Sequence, residues 1–307
     1  MNDTILNRLL GHLQTKGIIV SDVKRFTWYV THHNYNRAMK PYLKFISNKT
    51  ISDLQVTSDD LINLYELDNE ISVLFLTHIL EIEKKLNTQI AYTIEDTFKI
   101  YDGCLFKLDK SFIMKMIFPN ATMHGAGISF DQLINKLTKY AHINPNTNMY
   151  EDVSKNNLFQ KWKVCPLDAL CLSWTFNTTV LAYYSLNDQL KRKIIRFFKL
   201  SPNKIDAFND SIDVLVWLRN AITHNNVMLE KINELNQADI LKTYNSIFNA
   251  RKQIVTFSDL AGIVQFFSGK PTLIDDLATC ISKYKFSSDK IQARIDNVLM
   301  DKPQDEN

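Results

Sequence analysis

Two side chains that can act on a phosphodiester lie close together in the stretch Leu218-Arg219-Asn220-Ala221-Ile222-Thr223-His224. Arginine stays charged and grips phosphate oxygens with a two-pronged fork. Histidine has an ordinary pKa of about 6.5, so it can take up or release a proton near neutral pH. Arg219 and His224 therefore predict a site that binds or cleaves a phosphate ester. Asn220 lies four residues before His224, so the two are neighbours on the helix surface.

The geometry of a helix sets a condition on this pair. Five residues correspond to roughly 140° around an ideal helix, so the two side chains start on different faces. They meet at one phosphate only if the helix ends near His224 or if the long arginine reaches around it. Asn225 and Asn226 suit a helix end, because asparagine tolerates the left-handed cap conformation. The same spacing also fits a surface arginine beside a helix-end histidine, so the motif alone is a weak signal.

The element that positions the motif is an apolar helix. Leu215, Leu218 and Ile222 recur at helical spacing and predict a buried face. Asn209-Asp210-Ser211 are residues typical of a helix start, which predicts that the motif helix begins there. Upstream, Leu167 to Leu186 predicts one buried helix, and Asn187-Asp188 predicts the cap of the next, Gln189 to Leu200.

The longest apolar stripe predicts a helix from Leu61 to about Thr97. Thr57-Ser58-Asp59-Asp60 precedes it as a start signal, with acidic residues in the first turn. A helix of this length is typical of the spine of a bundle. The chain of 307 residues has only 7 Gly and 7 Pro, so breakers are few and the predicted fold class is all-α. Shorter runs predict helices over residues 4–17 and Phe130 to His142.

We expect three consecutive parts along the chain. Residues 1–48 form an N-terminal helical unit, residues 49–235 a helical core with an irregular insertion near 98–160, and residues 236–307 a helical C-terminal extension. The extension carries no motif that we could assign, and we expect it to pack on the core or to shape a partner site.

A basic strip lies on the predicted helix before the motif helix. Its members are Lys191, Arg192, Lys193, Arg196 and Lys199. One interpretation is a solvated helix face. The other is a surface that holds an RNA backbone. The net charge of +3 permits nucleic-acid binding through such a local strip but does not require it.

The remaining sequence predicts neither a metal nor a cofactor. The four cysteines are widely spread and have no metal-ligand spacing, which favours reduced thiols in a cytoplasmic protein. His32 and His33 are adjacent, so on a helix they point about 100° apart and suit a single metal poorly. No secretory signal and no apolar run of about 20 residues is visible, so we expect no membrane association.

Several segments resemble the Abi-like (AbiD/AbiF) family of bacterial abortive-infection proteins, over residues 4 to about 230. The segments that carry the resemblance are Gly17-Ile18, Tyr35-Asn36-Arg37, Tyr42-Leu43, Leu64-Tyr65-Glu66-Leu67-Asp68, Glu81-Ile82-Glu83-Lys84-Lys85-Leu86, Thr88-Gln89-Ile90-Ala91-Tyr92, Trp162-Lys163-Val164-Cys165-Pro166-Leu167-Asp168 and Leu218-Arg219-Asn220 with His224-Asn225. Arg219, Asn220 and His224 also resemble the Arg-x4-6-His motif of HEPN-domain ribonucleases.

The resemblance implies a HEPN-like helical bundle and a metal-independent endoribonuclease of anti-phage defence, in which a ribose 2′-OH attacks the adjacent phosphate. Arg219 and His224, with Asn220, are then the catalytic residues. The superfamily commonly pairs two motifs across a dimer, and this chain shows one, so we expect a homodimer. The resemblance also allows an antitoxin or an RNA partner. The alternative is a HEPN-like scaffold that binds RNA or a protein without cleaving it.

Overall fold

Helices make up the regular structure of this protein. The computed structural model describes residues 3–46, 55–100, 109–121, 128–138, 167–224, 227–229, 237–253 and 256–299. Within these ranges the only β-type pairing is a single parallel bridge between Ile19 and Thr57. The all-α class predicted from the sequence is therefore confirmed.

Among the described residues before the long helix, four short helices are present. They are α1 (Asp3–Thr15), α2 (Val23–His33), α3 (Tyr35–Ala38) and α4 (Lys40–Ile46). Gly17 has a φ of 74°, a left-handed conformation that glycine adopts without strain, and it turns the chain after α1 as the sequence predicts. Asp22 caps α2 by accepting a hydrogen bond from the Arg25 backbone N–H.

The predicted long helix is confirmed as α5 (Ser58–Phe98), with 41 residues. A reciprocal cap starts it: the Thr57 hydroxyl accepts a hydrogen bond from the Asp60 N–H, and the Asp60 carboxylate accepts one from the Thr57 N–H. The predicted stripe is buried, since Leu61, Leu67 and Ile71 have no exposed surface. Burying a side chain of this size contributes about 1.5–3 kcal/mol, so the stripe holds α5 in its bundle.

The middle of the chain is built from shorter pieces. They are α6 (Lys110–Phe112), a π-helical turn (Ile113–Ile117), α7 (Phe130–Thr138), α8 (Leu167–Leu172), α9 (Phe176–Ser185) and α10 (Asp188–Phe197). Helix α7 confirms the start predicted at Phe130, and residues 139–142 of that prediction lie outside the described residues.

One helix predicted over Leu167 to Leu186 is wrong, because the chain breaks between α8 and α9. The Thr175 side chain caps α9 by accepting a hydrogen bond from the Thr178 N–H. The Trp174 indole donates to the Leu137 carbonyl at 2.7 Å. A strong N-cap residue and a tertiary hydrogen bond thus interrupt a run whose apolar residues continue on both sides of the break.

Two predicted helix limits also need correction. The motif helix, α11 (Ile205–Thr223), begins before Asn209. Ser211 lies inside it, is buried, and donates its hydroxyl to the Ala207 carbonyl, so its polar group is satisfied within the helix. Helix α10 ends at Phe197 rather than Leu200, and Lys199 has a φ of 61° that stops the helix.

The C-terminal part forms the further helices that the sequence predicts. They are α12 (Gln237–Phe248), α13 (Phe257–Ser268), α14 (Leu273–Lys283) and α15 (Asp289–Leu299). Thr256 and Asp259 form a capping box at the start of α13, and Gly269 ends it in a left-handed conformation.

By compactness the chain divides into two units. The first contains Met1–His78 and Trp217–Asn307, and the second contains Ile79–Val216. The three consecutive parts expected from the sequence stay a prediction.

In the first unit, the beginning of α5 is contacted by the C-terminal helices and by the segment after α14. The Asp60 carboxylate accepts a hydrogen bond from the Ser287 N–H at 2.7 Å, and the Glu70 carboxylate accepts one from the Tyr284 hydroxyl at 2.8 Å. Further along, His78 Nδ1 lies 2.8 Å from the Ser268 hydroxyl in a buried position. Within the first unit, the C-terminal helices and the segment after α14 therefore pack on the first half of α5.

In the second unit, the end of α5 is joined to α9 and α10. The Thr179 hydroxyl donates to the side chain of Asn87, and both residues are buried. Lys193 Nζ lies 2.9 Å from the Thr97 hydroxyl and 3.4 Å from the Asp96 carboxylate.

Candidate functional site

Helix α11 ends at the motif. His224 directly follows the last helical residue, and its N–H donates to the Asn220 carbonyl at 3.0 Å. The Thr223 hydroxyl donates to the Arg219 carbonyl at 3.0 Å, which closes the same turn. A helix end near His224 is one of the two conditions under which Arg219 and His224 can reach the same phosphate.

Burial differs along the motif. The helix face formed by Leu215, Leu218 and Ile222 is buried, as the sequence predicts, whereas His224 is exposed. Arg219 and Asn220 are half-buried. The imidazole is therefore accessible to a ligand, and the arginine emerges from the packed side of the helix.

The arginine retains unused hydrogen-bonding capacity. Its Nε is buried and has no hydrogen-bond partner among the residues that the structure describes. A buried unpaired donor is unfavourable by about 1–3 kcal/mol, and a ligand oxygen would remove that cost. No hydrogen bond joins the side chains of Arg219, Asn220 and His224 in this part of the structure, so the motif is open rather than locked by internal pairing.

A buried carboxylate holds the chain that follows the motif, and the sequence analysis did not find it. Asp68 of α5 is 4% exposed. Its oxygens accept hydrogen bonds from the N–H groups of Met228 and Leu229, at 3.2 and 2.9 Å, and from the Tyr42 hydroxyl at 3.0 Å. The signal available in the sequence is an acidic residue on the apolar stripe of a long helix, because such a residue needs partners when it is buried.

Burial also changes the acidity of this group. It raises the pKa of Asp68 from 3.8 to about 6, although the three hydrogen bonds act in the opposite direction. Asp68 is thus a positioning residue, which ties the segment 227–229 to α5.

A cavity of about 340 Å³ lies beside the end of the motif helix, within the first unit. Its walls come from α3, α4, α5, the end of α11 and the following segment, through Arg37, Tyr42, Tyr65, Asp68, Asn69, Ser72, Val73, Leu76, Ile222, Thr223 and Val227. Ile222 and Thr223 are the two residues before His224. Arg219, Asn220 and His224 do not themselves line the cavity, so it adjoins the motif rather than containing it. A concave surface of this kind is the usual setting of a ligand site.

The basic strip has both exposed and buried members. Arg192, Arg196 and Lys199 are exposed. Lys193 is half-buried and pairs with Asp96 and Thr97. Lys191 is only 7% exposed, and its Nζ lies 5.8 Å from the centroid of the Tyr183 ring. Burial also lowers the pKa of Lys191, and Lys193 is already paired with Asp96 and Thr97. We therefore leave both lysines out of the RNA-binding strip that we propose below.

The adjacent histidines are engaged with neighbouring groups. His32 Nδ1 lies 2.7 Å from the Trp28 carbonyl, and His33 Nδ1 lies 3.3 Å from the Tyr65 hydroxyl. In the described part of the chain, no cluster of three or more His, Cys, Asp or Glu residues is arranged to hold a metal ion. None of the helices that these residues form is both long enough and apolar enough to cross a bilayer.

A family model described as Abi-like protein matches residues 28–230. This range covers more than half of the 307 residues and contains α5 and the whole motif, so the chain belongs to the Abi-like family. The match begins after Gly17-Ile18, which therefore lie outside it. No curated protein and no solved structure is detectably similar to the chain.

Proposed function

We propose that this protein is a metal-independent endoribonuclease with a HEPN-like bundle, and that it acts in abortive infection against phage. The carrying observation is that an Abi-like chain presents an exposed histidine, His224, and a half-buried arginine with a free buried Nε, Arg219, at one helix end beside a cavity. The defence role follows from the family alone.

The chemistry is transesterification. The ribose 2′-oxygen attacks the adjacent phosphorus, the bond from phosphorus to the 5′-oxygen breaks, and the products carry a 2′,3′-cyclic phosphate and a 5′-hydroxyl. One base must take the 2′-OH proton, and one acid must give a proton to the leaving 5′-oxygen. Arg219 neutralises the charge on the phosphate, and its fork matches two phosphate oxygens.

One chain supplies one histidine of this kind. A site with both a base and an acid is completed if two copies bring their motifs together, so we propose a homodimer as the active form. Arg192, Arg196 and Lys199 would bind the RNA backbone elsewhere on the chain. An antitoxin or an RNA partner that keeps the enzyme inactive would fit the proposed role in abortive infection.

The test is cleavage of labelled single-stranded RNA by purified protein in EDTA. We expect wild type to cut and to leave a 2′,3′-cyclic phosphate, and His224→Ala to lose about 10²-fold or more in rate, as for loss of a general acid or base. Arg219→Lys should also be impaired, because lysine keeps the charge but lacks the fork.

Thr77→Leu is a matched control, because Thr77 is exposed on α5 and outside the cavity. Cleavage that disappears in EDTA and returns with magnesium would refute the mechanism. Tight RNA binding without cleavage, unchanged in His224→Ala, would instead support the non-cleaving scaffold.

A further inference from the structure

The cavity beside the motif combines an apolar wall with unused polar groups. Ile222 and Val227 contribute apolar surface, and Asn69 and Ser72 contribute an amide and a hydroxyl. These two residues are three apart on α5, so they share one helix face. Neither side chain has a hydrogen-bond partner among the described residues. The cavity therefore offers a donor, an acceptor and a hydroxyl to a planar polar ligand.

The size of the cavity narrows the range of ligands. At about 340 Å³ it lies at the small end of ligand pockets, which span roughly 300–1,000 Å³. One nucleobase fits this volume, whereas a helical RNA segment does not. Because Thr223 lines the cavity and precedes His224, a base held there belongs to a nucleotide next to the phosphate that the motif would act on.

The acidic residue in the cavity wall does not oppose this occupant. Asp68 is buried, and its oxygens already accept hydrogen bonds from the backbone of Met228 and Leu229 and from Tyr42. Arg37 lines the same cavity, so its rim carries a positive charge.

A row of rings leads outward from the cavity wall. Tyr65 is 5.3 Å from His33 between ring centroids, and His33 is 5.8 Å from Trp28. Trp28 stacks on His32 at 4.3 Å and 23°, yet 52% of its surface is exposed. An exposed aromatic face can stack a base, and the faces of bases are available only where RNA is single-stranded.

We propose that the cavity binds one unpaired base of a single-stranded RNA, read by Asn69 and Ser72, while a neighbouring base stacks on Trp28. This inference rests on the proposed ribonuclease function, since it identifies the base as part of that enzyme's substrate. The pocket makes cutting dependent on the base beside the scissile phosphate.

The experiment measures binding separately from cleavage. In a His224→Ala background, fluorescence anisotropy is recorded with four labelled single-stranded homo-oligomers of about 12 nucleotides, one for each base. We expect one of the four to bind about 10-fold more tightly than the weakest, as for a base read by a paired donor and acceptor.

Ser72→Leu puts a larger side chain into the cavity and changes none of Arg219, Asn220 and His224, and it should remove this preference. The exposed Thr77→Leu, the same kind of change on the same helix, should leave it intact. Trp28→Ala should lower the affinity for all four oligomers by about 10-fold without changing the order of the four affinities, because a ring can stack on any base. Asn69→Asp keeps the shape but removes the amide donor, so it should alter the order even if Ser72→Leu fails to fold.

Equal binding of the four oligomers, or binding of none, would overturn the pocket. The proposed pocket would also be overturned if both Ser72→Leu and Asn69→Asp left the order of the four affinities unchanged. Cleavage of the same oligomers by wild type is scored separately. If wild type cuts the oligomers but the His224→Ala protein binds all four equally, the proposed base-binding cavity is wrong and the proposed ribonuclease activity is supported. The other outcome is that wild type cuts none of the oligomers while the binding preference is observed and is lost in the cavity variants. In that case the proposed ribonuclease activity is wrong and the base-binding cavity is supported.

Discussion

Asp68 is the residue whose chemistry most directly links the fold to the candidate site. It accepts three hydrogen bonds in a position that is 4% exposed, and two of these come from the backbone just after the motif. A carboxylate in this setting loses hydration that the three donors replace only in part, which is why burial raises its pKa to about 6.

The raised pKa of Asp68 predicts a pH dependence of stability. The unfolded chain loses this proton near 3.8, whereas the folded chain keeps it to about 6, so the contribution is full below 3.8 and is lost as pH rises through 6. This contribution to the free energy of unfolding is at most roughly 3 kcal/mol. The free energy of unfolding of wild type minus that of Asp68→Asn should therefore fall between about pH 4 and pH 7 in urea titrations at constant ionic strength.

Asp275→Asn serves as the control, because Asp275 is exposed in the first turn of α14. Measured in parallel, this variant shows how much the loss of one exposed carboxylate changes the free energy of unfolding by itself. A difference for Asp68→Asn that stays level or rises with pH would mean that Asp68 is ionised throughout.

At this scale the sequence predicted part of the site. The buried face of Leu218 and Ile222 and the helix end at His224 followed from local spacing. Asp68, Asn69 and Ser72 did not, because the partners of Asp68 and the other walls of the cavity come from segments far away in the chain. When a single polar residue lies on an apolar stripe, the sequence does not show which backbone N–H groups will donate hydrogen bonds to it.

Among the elements, α5 was predictable because its stripe repeats over many turns and its start is marked by Thr57 and Asp60. The break between α8 and α9 was missed because the run is apolar on both sides. A tertiary hydrogen bond from Trp174 to Leu137 and a cap at Thr175 outweigh that local pattern. The start of α11 was missed because residues that favour caps also occur inside a helix when, like Ser211, they bond to the preceding turn.

The exposed basic residues of α10 and of the turn that follows it give the prediction that belongs to this scale. Changing Arg192, Arg196 and Lys199 to Gln should weaken RNA binding and flatten its dependence on salt, because each phosphate contact releases counterions. All three side chains are exposed, so the fold should survive. Affinity is measured over a series of salt concentrations.

Lys191→Gln is the matched comparison on the same helix. Lys191 lies buried over Tyr183, so this change should lower stability while the salt slope stays as in wild type. If the triple variant keeps both the affinity and the slope, the strip is a solvated helix face.

For the whole molecule, the first unit joins distant parts of the sequence, since residues before 78 and after 217 belong to it. Hydrogen bonds from Ser287 and Tyr284 to α5 show why the C-terminal helices matter to the motif's own unit. The sequence could predict that these helices exist but not where they pack, because their apolar faces do not specify a partner.

The last prediction concerns two copies of the molecule. If base and acid are the two copies of His224, a heterodimer of wild type and His224→Ala lacks one of them. After subunit exchange at equal amounts and fixed total concentration, only about a quarter of the dimers are wild type on both sides, so activity should be near a quarter of the all-wild-type rate. Independent sites would give half. Thr77→Leu in place of His224→Ala should leave the rate unchanged. A rate of half after proven exchange, or full activity in a protein that light scattering shows to be monomeric, would refute the shared site.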